Sequence, residues 1–291
     1  MVLSVMLGLT LVGHAEDIEL NTAWPQQSWF DGANWAEGSA PTDGQSANTE
    51  VGNISFLIDI DNGGSGVNLP SSAVRIGRGT LLDSSGADDT FVADVIQFNG
   101  AGGASTVVNV PVIARTLRTN RHGPTLNAVW SASNIVAQSG HQDKWMINAS
   151  PSVPVDHILL NENRGADGGT IDGFFATSVD MTVNTIDHVW LRLRVDDAAA
   201  TLTVDTYNYT YYTNRASDNN DNPVVLNGNM VAANFNTIDI LTATPVAQSP
   251  GTWGAIGSGA DNEVTWITGS GILTVGASGP SSSPGTLIYG K

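Results

Sequence analysis

No window of a dozen residues in this chain places apolar side chains at the 3.6-residue spacing of a helix face. Short β-branched and aromatic runs recur instead, each bounded by Gly, Asn, Asp, Pro or Ser. Residues 54–60, 90–96, 106–110, 187–195 and 201–205 are examples. Branched and aromatic side chains suit a pleated, half-buried surface, whereas the bounding residues favour turns. Strands of about five residues at short intervals predict an all-β fold.

The loops between these runs are irregular and rich in Gly, Asn and Asp, which fits a hairpin-built sandwich poorly. An internal echo points elsewhere. Val155-Asp156-His157-Ile158, Ile186-Asp187-His188-Val189 and Ile238-Asp239-Ile240-Leu241 share an apolar-Asp-x-apolar pattern. The second interval between their Asp positions is about two periods of 26 residues. Repeats of this length suggest stacked coils that bury their apolar faces against their neighbours. The favoured architecture is a right-handed parallel β-helix, with a jelly-roll-like β-sandwich as the alternative. The organisation this predicts is a signal peptide over 1–15, an N-terminal capping module over 16–50, a β-solenoid over 51–275 and a flexible tail over 276–291.

The leader expectation rests on a short apolar run from Met1 to Val12, then Gly13, His14 and Ala15, then Glu16 and Asp17. A run of this length, ending in small residues and turning acidic, has the pattern of a secretory signal, although no Lys or Arg precedes Arg75. It is shorter than the ~20 residues a membrane-spanning helix needs, so no transmembrane segment is expected in the mature chain. The chain has no cysteine, which excludes disulfides, thiolate metal sites and Cys nucleophiles. With 28 acidic against 11 basic residues, its charge of −17 argues against a nucleic-acid partner, because phosphate recognition needs clustered Lys and Arg.

Residues 29–44 carry Trp29, Gly32, Asn34, Trp35, Gly38, Pro41 and Gly44 at fixed spacing. This segment resembles a module that opens the β-solenoid regions of secreted bacterial surface proteins with autotransporter-like repeats, of planctomycete and verrucomicrobial type. Gln45 stands where that module usually has Asp. Residues 251–261 and 267–275 look like the final coils of such proteins, without the Pro-Glu-Pro motif that often follows. The resemblance implies a surface-exposed structural or adhesive protein and carries no catalytic residues. Independently of it, Trp29 and Trp35 flank a Gly-Ala-Asn turn and suit an end cap, which a stack of coils needs; the alternative is a platform for sugar rings.

Other candidates are scattered. Acidic, glycine-containing loops include Asp59, Asp61 and Asp167, whose hard oxygens suit calcium, the one cofactor that the chain suggests. Asp and Asn also favour such turns through local hydrogen bonds. His157 and His188 hold matching places in the echo, so stacking would bring them onto one ladder. Arg192 and Arg194 alternate onto one strand face and can meet an acidic polysaccharide or pair with nearby Asp. No nucleophile elbow, P-loop or dinucleotide fingerprint is present. The leading expectation is therefore a secreted, non-enzymatic surface or matrix protein that associates with itself, even into fibres, or with cell-surface polysaccharide. A carbohydrate-binding adhesin is the alternative, with Trp24, Trp29, Trp35, Trp130 or Trp145 as platforms. A polysaccharide lyase or hydrolase on the same scaffold is a third.

Overall fold

A computed structural model of the chain describes residues 18–20, 26–49, 57–77, 81–84, 89–99, 106–119, 122–139, 144–162, 173–189, 191–211, 224–239 and 242–276. The leader, Trp24, Asp167 and all but the first residue of the expected tail lie outside these residues. Strands alternate along the chain between a 14-stranded and a 10-stranded sheet. Within each sheet, successive strands pair in parallel almost throughout, as between Val155–Glu162 and Met181–His188, or between Phe174–Thr177 and Arg192–Val195. A jelly roll needs antiparallel neighbours. The fold is a parallel β-helix, each turn contributing one strand to each sheet.

Residue type explains the stacking. Val74, Ile96, Leu117, Ile135, Ile158, Ile186, Tyr207 and Phe235 occupy successive rungs of one inward row in the larger sheet, and every one is buried. In the smaller sheet Ile147, Thr177, Val195 and Leu226 form a similar row. Its one polar member, Thr177, donates its hydroxyl to the Val179 carbonyl at 2.8 Å and so escapes the cost of an unpaired buried group. Each fully buried Ile or Leu contributes about 1.5–3 kcal/mol, and rows of them hold adjacent turns in register.

The long strands are bent. Along Met181–His188 inward and outward residues alternate until Asn184 and Thr185, which both face outward. Pairing with Thr201–Tyr211 skips the same place, passing from Val183↔Val204 to Thr185↔Thr206. The larger sheet thus has two facets, and the smaller sheet forms a third wall. Where the smaller sheet ends, Asn109, Asn127 and Asn148 form a ladder in which each lower Oδ1 accepts from the next Nδ2 at 2.9 Å. Amide side chains stacked in this way serve both as donors and as acceptors, which suits a corner with no strand pairing of its own.

At one end, Trp29 and Trp35 are each 1% exposed and pack edge-on against each other, with Trp29 also meeting Phe91. The 16–50 segment supplies Ile18–Glu19 and Ala47–Asn48 to the larger sheet and Gln26–Ser28 to the smaller. At the other end the parallel order breaks. Pro245–Ala247 runs antiparallel to Asn229–Asp239, and Gly251–Ala255 runs antiparallel to Leu273–Val275. Among the described residues no helix is long and apolar enough to cross a membrane.

The register departs from the echo. His157 stacks on Thr185, and Asp187 stacks on Asn208 and then Asn236 rather than aligning with Asp239. Side-chain bonds between turns link residues 18, 21 or 28 apart, so the coil length varies. The alignment of the two His-containing segments is three residues out. An odd slip exchanges the two faces of a strand, so His157 faces outward while His188 is fully buried. The two histidines do not share a ladder.

Candidate functional site

Trp29, Trp35, Trp130 and Trp145 are buried in the core. Trp35 donates its Nε1–H to the Trp29 carbonyl at 2.8 Å, and Trp130 donates to the Ala149 carbonyl at 2.8 Å. With Trp145, they are buried, leaving no ring face on which a sugar can stack.

The loop from Asp59 to Gly66 spends oxygens locally. Asp59 Oδ1 accepts from the Asp61 backbone N–H at 3.0 Å, and Asp61 Oδ1 from that of Gly63 at 2.8 Å. Asn62 Oδ1 takes the N–H groups of Gly64, Ser65 and Gly66. These are the Asx turns that such residues form for themselves. Among the described residues no three His, Cys, Asp or Glu side chains stand together as a metal-holding group.

An open trough of about 340 Å³ is lined by residues 151–154 and by Asp180, Thr182, Thr201 and Thr203. Its one carboxylate, Asp180, accepts from the Thr201 backbone N–H at 2.8 Å. No second acid or histidine lines it, so the pair of carboxylates that glycoside hydrolysis requires is missing there.

The outer wall of the smaller sheet is the part of the molecule with unspent chemistry. Side chains alternate across it: Lys144 and Met146 point outward while Trp145 and Ile147 are buried, and Arg192 and Arg194 point outward while Leu193 and Val195 are buried. Lys144 stacks on Phe174, and Phe174 on Arg192, to give a cation–aromatic–cation row along the solenoid axis. Arg194 reaches diagonally to place its guanidinium carbon 4.7 Å from the centre of the Phe174 ring, close enough for cation–π attraction. Its Nε donates to Asp196 at 2.9 Å. Neither Lys144 nor Arg192 has a carboxylate partner among the described residues, and the Nε–H of Arg192 is shielded from water without an acceptor.

The sequence identified the alternation of Arg192 and Arg194. It missed Lys144 and Phe174, because the turns that carry the row have different lengths: Phe174 is 30 residues after Lys144, and Arg192 is only 18 further on. The sequence also groups Arg115, Arg118 and Arg121 within seven residues, but Arg115 and Arg118 do not share a patch. Arg115 forms a two-pronged pair with Asp94 at 2.7 and 2.9 Å, and Arg118 lies beyond the bend of its strand. Arg121 is outside the described residues.

Comparison with known proteins leaves the case to geometry: no protein-family model matches the chain, and neither a curated protein nor a solved structure matches it.

Proposed function

We propose that this chain is a secreted structural protein of a cell surface or extracellular matrix, in which the solenoid presents its outer walls to partners and performs no catalysis. The observation that carries this reading is the interior. Apolar rows run from turn to turn and fill the described interior, and the trough noted above has a single, already bonded carboxylate. The apolar leader pattern and the likeness of residues 29–44 to surface-protein modules support an extracellular setting. The edge formed by Pro245–Ala247 disfavours the addition of a further strand there. Pro245–Ala247 lies antiparallel and exposed against the last long strand, and proline cannot donate to a further strand.

The test is fractionation of the producing cells with antibody detection, followed by electron microscopy of the purified chain. The expected result is protein in the extracellular or surface fraction, seen as short rods. Protein confined to the cell interior, or release of new reducing ends from a panel of polysaccharides, overturns the reading.

A further inference from the structure

We propose that the outer wall of the smaller sheet binds an anionic polysaccharide, held along the solenoid axis by Lys144, Arg192 and Arg194 beside Phe174. This deepens the surface-protein reading by naming what the scaffold holds.

Charge is the first argument. A chain of net charge −17 has carboxylates to spare for every cation, yet Lys144 and Arg192 lie within two rungs of each other and neither has one among the described residues. Arg194 gives only its Nε to Asp196, so its terminal nitrogens have no acceptor among the described residues. The Nε–H of Arg192 has lost water and gained no acceptor. An arriving carboxylate or sulfate oxygen meets instead the terminal guanidinium nitrogens of Arg192, which have no acceptor among the described residues.

Geometry is the second argument. Parallel rungs are spaced at about 4.8 Å, so the cations of the row stand roughly 10 Å apart along a straight line. A linear polymer with a negative group on each repeating sugar can follow such a line, whereas a single small anion engages only one position. Between the cations, the Phe174 ring and the exposed side chain of Met146 offer apolar surface to the C–H faces of sugar rings. The polymer is a polysaccharide and not a nucleic acid because the charge of the whole molecule repels the dense phosphates of a duplex, and three cations cannot offset that.

The experiment measures binding of the full chain to polygalacturonate, alginate and chondroitin sulfate at low salt, with neutral dextran and duplex DNA as comparisons. The expected result is salt-sensitive binding to at least one acidic polymer and none to dextran. The triple variant Lys144→Gln/Arg192→Gln/Arg194→Gln weakens binding by about tenfold or more, the size of one lost charge-assisted contact. Arg115→Gln, which removes a cation elsewhere, leaves it unchanged. In the unaltered protein, the acidic polymer protects Lys144 from acetylation while Lys291, the only other lysine, stays reactive. This second readout decides the matter if the triple variant does not fold. Absence of binding to all three acidic polymers, an unaffected folded triple variant, an unprotected Lys144, or equal affinity for duplex DNA overturns the proposal. None of these outcomes depends on where the protein resides or how it assembles, so the surface-protein reading stands or falls separately.

Discussion

His157 Nε2 lies 2.9 Å from Asp187 Oδ2 across two turns of the solenoid, and the same carboxylate accepts from Asn208 Nδ2 at 2.8 Å. Asn208 in turn accepts from Asn236 at 2.9 Å. A polar chain four residues long thus runs over the outside of the larger sheet. One residue beyond Asp187, His188 points the other way into the core, its Nδ1 2.7 Å from the Tyr207 hydroxyl. The strand carries an exposed histidine partner on one face and a buried histidine on the other, and the two differ in their response to pH.

His188 makes the fold acid-sensitive. Complete burial, opposed by a hydrogen bond with the Leu191 backbone, pushes its pKa down to about 4, from an ordinary value of about 6.5. No hydrogen bond forms at its Nε2. The unfolded chain therefore binds a proton that the folded chain refuses between these two values. The contribution is fully present above about pH 6.5 and is lost as the pH falls towards 4, on the order of 3 kcal/mol in all. Urea unfolding at pH 7.5, 5.5 and 4.5 is expected to show this decline. In His188→Gln the part of the decline between pH 6.5 and 4 disappears, from a lower starting stability.

Asp187 responds in a lower range and more weakly. The hydrogen bond from His157 is the main cause that holds its carboxyl below the usual carboxylate range; partial burial opposes it and the Asn208 amide assists it. Its contribution is present above the ordinary carboxylate pKa and is lost as the pH falls through the lowered one. Both side chains remain more than one-third exposed, so solvent screens the pair. Asp187→Asn is expected to cost less than about 1 kcal/mol at pH 7, with the difference from the parent shrinking in high salt. A loss of several kcal/mol in denaturant titration would mean that the pair is more enclosed than its exposure shows.

The asparagine corner offers a test of stacking without apolar burial. Asn127 donates to Asn109 and accepts from Asn148, so Asn127→Leu removes both bonds at a solvent-facing corner. The expected loss is about 1–2 kcal/mol. Asn127→Asp keeps the acceptor for Asn148 but sets its oxygens against that of Asn109, and it is expected to fall between the parent and the Leu variant in urea midpoint.

The all-β class was legible in the sequence because turn residues interrupt every apolar run, and a solenoid was legible because the runs echo one another. The register was not. Coils here differ in length, as the 18-, 21- and 28-residue links between ladder partners show. The echo of Asp and His therefore sits three residues from the true alignment and suggests a shared ladder for His157 and His188 that does not form. The same irregularity hid Lys144 and Phe174 from Arg192. The alternation of Arg192 and Arg194 was readable because it is local to one strand. An end cap and a sugar platform at Trp29 and Trp35 look alike in the sequence, because a Trp beside a turn has the same pattern whether its ring faces in or out; the packing of Trp29 on Trp35 and Phe91 distinguishes them.

The last turn of the solenoid depends on two glycines for a reason that concerns space rather than backbone conformation. Gly228 follows Val224–Leu226 and crosses so near the preceding loop that a methyl group there would overlap the carbonyl oxygens of Asp197 and Ala200. Its N–H donates to the Val195 carbonyl at 3.1 Å, which holds it in place. On its other side Gly271 lies against the Gly228 carbonyl, where a methyl group likewise has no room. Apart from Val195 Cγ1 beside Gly228, the obstructing atoms are backbone, so side-chain rotation cannot relieve either overlap. Gly228→Ala and Gly271→Ala are each expected to cost about 3 kcal/mol, at the upper end of ordinary overpacking. Because the two meet at one contact, the double variant is expected to cost less than the two losses combined. Thermal unfolding of the three variants checks this. Single substitutions that leave the melting temperature within a degree of the parent would show that the final turn is not packed on its neighbour as closely as this contact requires.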